Sequence, residues 1–158
     1  MKHLNFAFVL LMVFGTVQVV WADAAEDKAA ATRALTDYVA AFGSLDTQRV
    51  LPYYHEPLMF VTAARAGALT TRAEIEAWLK QVFARLKERG YARSEYSQLH
   101  VKPLSAGVAM VSTQTVRYKA DGQELEKLGF TYVLRKTSDG WKVAVLVGHD
   151  PDSVLRFD

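Results

Sequence analysis

Two short segments of the chain set an imidazole beside a carboxylate, His149-Asp150 and His55-Glu56. Imidazole titrates near neutrality, so His149 can serve as a general acid or base, and Asp150 can activate a water. The same residues also suit structural tasks. Asp150 before Pro151 makes a turn with His149 partly solvated at a strand end, and His55-Glu56 before Pro57 caps and turns the chain. Unbroken strand alternation puts His149 on one face with Trp141, Val143, Val145 and Val147, and Asp150 on the other with Ala144, Leu146 and Gly148. Only one of the two then enters a cavity, and the sequence leaves open which. A second constellation is aromatic and polar: Tyr38, Tyr54, Phe60, Trp78, Gln114, Tyr118 and Tyr132. If Tyr38 and Tyr132 face inward, their hydroxyls need partners, which Thr62 or Gln114 provide. An apolar pocket with a few convergent polar groups selects a flat hydrophobic ligand. The alternative is that the rings simply fill a core.

Composition narrows the chemistry. The sequence has no cysteine, so disulfides, thiolate metal sites and a cysteine nucleophile are excluded. His55, His100 and His149 stand in no His-Glu-x-x-His or comparable spacing, and no motif implies a metal or an organic cofactor. A net charge of +2, with basic residues spread along the chain, lacks the one-faced stripe that nucleic acid would reward.

The elements that must position these groups begin after an N-terminal segment of a different kind. Lys2 and His3 precede an apolar run from Phe6 to Val20, closed by Trp21-Ala22-Asp23-Ala24, whose small residues fit an A-x-A cleavage site. The run is shorter than the ~20 residues of a bilayer span, so residues 1–24 read as a secretory signal peptide and 25–158 as a single exported domain, periplasmic or secreted, with no membrane attachment after cleavage. Within that domain, Ala31, Leu35, Tyr38 and Phe42 recur at helical spacing over Ala29 to Gly43. Asp46 caps a short second helix through Val50 and Leu51, and Tyr53 to Pro57 reads as a polar-aromatic turn. Leu58 to Thr62 reads as the first strand, and Ala63 to Leu69 as a loop or hairpin arm. Thr71 and Glu74 make a capping box for a long third helix carrying Ile75, Trp78, Leu79, Val82 and Leu86, which Gly90 ends. Tyr91 to Leu104 is a long strand. Val108 to Tyr118, Leu125 to Arg135 and Trp141 to Val147 then form a meander around Asp121-Gly122 and Asp139-Gly140, with Arg117, Glu124, Glu126, Lys127 and Arg135 on a solvated or dimer-rim face.

This order, together with Tyr38, Leu45-Asp46, Tyr54, Thr71 to Ile75 and Gly140 to Val143, resembles the SnoaL-like branch of the NTF2-like superfamily. The Tyr53 to Pro57 and Gly148 to Pro151 segments are similar to small SnoaL-like proteins of unknown function. The resemblance implies an α+β cone, a strongly curved antiparallel sheet wrapped around three N-terminal helices, commonly dimeric through its sheet. It also places Tyr38 where ketosteroid isomerases carry an oxyanion-hole tyrosine. Thr62, however, falls where they carry the general-base aspartate, and threonine cannot take a proton from carbon near neutral pH. Three functions remain. The first is an exported homodimer binding a small apolar or amphipathic molecule in a conical pocket through Tyr54, His55, Phe60, Thr62, Trp78, Gln114 and Tyr132. The second is a cofactor-free isomerase, cyclase, dehydratase or hydrolase using His149 or Asp150 with Tyr38. The third is a dimeric interaction module with no open pocket.

Overall fold

The computed structural model describes residues 16–157. Most of the expected signal segment lies outside those residues. Its last part, from Thr16, belongs to the first turns of α1 (Thr16–Gly43), which therefore starts well before the expected Ala29. No described helix is long and apolar enough to cross a membrane.

α1 buries a stripe of Ala31, Leu35, Tyr38 and Phe42 against the sheet. Farther up, Asp27 is buried and pairs with Lys136 at 2.7 Å, which ties the helix to the sheet. Asp46 accepts from the Gln48 amide and so caps α2 (Thr47–Val50), which a 3₁₀ turn, Leu51–Tyr53, continues. α3 (Arg72–Glu88) opens on the capping box expected of Thr71 and Glu74. It buries Ile75, Leu79, Phe83 and Leu86, each burial stabilising by about 1.5–3 kcal/mol.

The strands are β1 (Tyr54–Val61), β2 (Ala66–Leu69), β3 (Tyr91–Ser105), β4 (Val108–Lys119), β5 (Glu124–Thr137) and β6 (Gly140–His149). They form one curved, unclosed sheet in the order β2-β1-β6-β5-β4-β3, which with the helices makes the expected α+β cone. The meander is as read, and Gly122 and Gly140 take positive φ of 85° and 103° in its turns. Two features differ from the reading. The sheet is mixed, because β1 runs parallel to β6. Tyr54 to Pro57, expected as a turn, is the first half of β1, separated from the rest by a register shift between Tyr54 and Met59.

A second irregularity decides which side chains face inward. Val133 pairs with Val145 but Leu134 with Val143, so Ala144 is an extra residue on β6. Such a bulge resets side-chain parity. Trp141 and Val143 face the core before it, and Leu146 faces the core after it. Val145, Val147 and His149 are thereby turned to the outer face of the sheet, beside Val133 and Thr131.

Candidate functional site

Between α1, α3 and the concave face of the sheet lies a cavity of about 220 Å³. α1 contributes Tyr38, Val39 and Phe42 to its wall, and α3 contributes Trp78 and Val82. β1 and the turn after it bring Tyr54, Phe60, Thr62 and Arg65. β3 and β4 add Ser94, Tyr96, Thr115 and Arg117, and β5 and β6 add Phe130, Tyr132 and Leu146. The rings brace one another edge-on. Tyr38 meets Tyr54 at 5.7 Å and Tyr132 at 6.4 Å between centroids, and Tyr54 meets Trp78 at 5.7 Å.

The polar groups in this wall include four phenols, three aliphatic hydroxyls and two guanidiniums. Tyr38 Oη and Tyr54 Oη share a buried hydrogen bond of 2.7 Å in which either can donate. Burial pushes Tyr38 up to about 12, against the opposing pull of the Tyr54 hydrogen bond and the Arg117 charge. Tyr54, Tyr96 and Tyr132 are held well above the ordinary 10, again chiefly by burial. These side chains are therefore neutral hydrogen-bond donors at physiological pH and cannot act as bases.

Arg117 was expected on a solvated face, yet its side chain is only 14% exposed and borders the cavity, with its guanidinium 5.4 Å from the Phe42 ring. Its Nη1 donates to Glu126 Oε1 at 2.8 Å, while Arg89 donates to both oxygens of the same carboxylate, at 3.1 and 2.8 Å. Burial raises the Glu126 carboxyl, but the hydrogen bonds from Arg89 and Arg117 outweigh it and hold the group below its ordinary 4.5. A carboxylate held low stabilises the fold above its unfolded value, and that stability is lost as pH falls through the folded value. Glu126→Gln should accordingly lower unfolding free energy at neutral pH by about 1–2 kcal/mol, between the worth of an exposed and a buried pair. Urea melts check this: the gap to wild type should shrink in acid, and a gap of equal size at both pH values would refute it.

Of the residues singled out from the sequence, Tyr38, Tyr54, Phe60, Thr62, Trp78 and Tyr132 line the cavity. His55, Gln114, His149 and Asp150 do not. His55 faces Pro57 O and the Arg135 guanidinium, at 3.3 and 3.2 Å. Gln114 bonds Ser97 and Pro151 O. Thr62 spends its hydroxyl on the backbone of Arg65, donating to Arg65 O at 3.1 Å. Among the described residues, no group of three His, Asp or Glu side chains could hold a metal ion.

His149 belongs to a hydrogen-bonded chain on the outer face. Its Nδ1 lies 2.8 Å from the Asp150 carbonyl and so carries the proton, which leaves Nε2 to accept from Thr131 Oγ1 at 3.0 Å. Thr131 in turn accepts from Ser112 Oγ at 3.0 Å, and Ser112 accepts from the Leu155 amide at 3.0 Å. The result seats the C-terminal segment on the sheet. Asp150 caps the turn, accepting from the Asp152 amide.

The cavity residues that sequence reasoning missed had a signal on three strands. Ser94 and Tyr96 on β3, and Thr115 and Arg117 on β4, each sit two apart, the spacing of one strand face. Phe130 likewise sits two before Tyr132 on β5, whereas Val39 and Arg65 had none, since their inward position depends on how the helix and hairpin dock.

Comparison with known proteins follows the same geometry. The family model described as NTF2-like protein (DUF6841) matches residues 25–151. A solved NTF2-like protein with a cystatin-like fold from Novosphingobium aromaticivorans superposes with a TM-score of 0.68 at 16% identity, covering 87% of this chain and 90% of that one. An NTF2-like protein of unknown function from Shewanella oneidensis gives 0.62 at 19%, covering 80% and 98%. A ketosteroid isomerase-like protein from Erwinia carotovora gives 0.52 at 21%, covering 78% and 95%. At these identities the likeness speaks for the fold alone. No curated protein matches the chain.

Proposed function

Starting from the fact that this chain belongs to the NTF2-like family DUF6841, we propose that its cavity is a binding site for a small apolar or amphipathic molecule. One observation carries this reading: a hollow of about 220 Å³ walled by aromatic and aliphatic side chains, with hydroxyls and two arginines as its polar groups. The enzyme alternative has less support, because proton transfer needs a base within reach and none of the described lining residues carries a carboxylate or imidazole. A cavity of ~150 Å³ accommodates benzene, so this one has room for one or two small rings.

The test is a titration with 2-naphthamide, a neutral two-ring probe, against wild type and Val82→Phe. The larger side chain occupies the hollow, so binding should weaken at least about tenfold, roughly 1.4 kcal/mol, while the melting temperature holds or rises. Failure of wild type to bind, or equal binding by the filled variant, would remove the reading.

Export and homodimerisation remain parts of this proposal. The N-terminal apolar run supports the first. For the second, Met59 and Val61 are exposed and lie in register with Val145 and Val147, an apolar strip on the outer face. Retention of the uncleaved chain in the cytoplasmic fraction would end the one, and a monomer mass by light scattering the other.

A further inference from the structure

Resting on that binding reading, we infer that the guest carries a carboxylate, seated at the β3/β4 end of the cavity against Arg117 and Tyr96. Strand pairing sets Ser94 opposite Arg117 and Tyr96 opposite Thr115, so hydroxyls and a guanidinium gather at one end of a largely apolar wall. Among the described residues, two donors there have no partner at hydrogen-bonding geometry, Arg117 Nε–H and the Tyr96 hydroxyl. The Tyr96 hydroxyl interacts with that of Tyr132, and both phenols stay protonated. Buried donors left without acceptors are costly, and a fold retains them where something else supplies the acceptor.

Charge points the same way. Arg117 and Arg89 share one carboxylate, Glu126, which leaves this cluster one positive charge in excess. Among the described residues, no carboxylate lines the cavity to offset it. A monoanion balances that charge, and the guanidinium fork matches a planar carboxylate. Arg65 is the other cation at the wall, but it stands over the Phe60 ring at 5.1 Å, at the hairpin rather than at the hydroxyl-lined end. Arg117 Nε and Tyr96 Oη each expose under 1 Å² of surface, so seating the carboxylate requires the Arg117 and Tyr96 side chains to turn toward it. The guest is thus a carboxylic acid of one or two small rings.

The experiment compares 2-naphthoate with its neutral isostere 2-naphthamide at neutral pH. Wild type should bind the naphthoate about tenfold tighter, the worth of a charge-assisted hydrogen bond. Tyr96→Phe, which deletes one buried hydroxyl and keeps the ring, should cut that preference severalfold. Arg117→Lys, which keeps a cation for Glu126 but loses the fork, should do the same. Equal binding of the two probes by wild type, or a preference unchanged in both variants, overturns the carboxylate inference and leaves the pocket standing. If neither probe binds, the pocket reading falls and this inference with it.

Discussion

Alkali should unfold this chain in one cooperative step, beginning near pH 10, where an unburied tyrosine ionises. Burial holds Tyr38 up to about 12 and keeps Tyr54, Tyr96 and Tyr132 well above 10, so each is more acidic in the unfolded chain than in the fold. Their contribution to stability is therefore intact below pH 10 and is lost as pH rises through the folded values. The rise from 10 to about 12 at Tyr38 alone is worth about 3 kcal/mol, a sizeable part of the ~5–15 kcal/mol by which domains are stable, and burial of the other three acts in the same direction. The fold should give way before the inner phenols ionise in place. Phenolate absorbance from the four rings and loss of circular dichroism should rise together. Ionisation running to completion while the dichroism stays native would contradict this. Removing the bonded pair together, Tyr38→Phe with Tyr54→Phe, deletes both partners of one hydrogen bond and should change neutral stability little. The same change should move the alkaline midpoint upward, because two of the four acids are gone.

Local chemistry made some of this architecture legible. The Thr71 and Glu74 capping box, the Asp46 cap and the two Asp-Gly turns depend on neighbours a few residues apart, and each forms where the sequence places it. The aromatic part of the cavity was legible for a similar reason, since Tyr38 and Trp78 sit on the apolar stripes of helices. Long-range pairing was not. Nothing near Tyr54 announces a parallel partner on β6, so its segment read as a turn. The alternation from Trp141 to His149 was continuous in sequence but is broken by the bulge at Ala144, which forms only because β5 lies beside it. Gln114 stands on the opposite face of β4 from Thr113 and Thr115, where Ser97 on β3 and Pro151 in the C-terminal segment give it partners. Arg117 reads from the sequence as part of a solvated or dimer-rim face, because charged residues are rarely buried unpaired and its partner Glu126 lies on the next strand.

The outer face carries the second large effect, at Gly129. A β-carbon added there would run into the Asp150 carbonyl and the His149 ring, the two groups that hand the chain from β6 into its C-terminal segment. Those groups already bond each other, and the ring also takes the Thr131 hydroxyl, so neither can retreat without breaking the series through Thr131 and Ser112 to the Leu155 amide. Backbone is the harder obstacle, since a carbonyl cannot rotate away as a side chain does. Gly129→Ala should therefore cost about 1–3 kcal/mol, the usual penalty of overpacking, and should speed proteolysis after His149 as the segment lifts. Gly107→Ala is the matched control. An added methyl there meets nothing within 4 Å, so it should be neutral or slightly stabilising by trimming unfolded-state freedom. Guanidine melts of the two variants separate the outcomes. Equal stability would mean that the C-terminal segment does not sit on Gly129 in solution, and that the His149 chain does not hold it there.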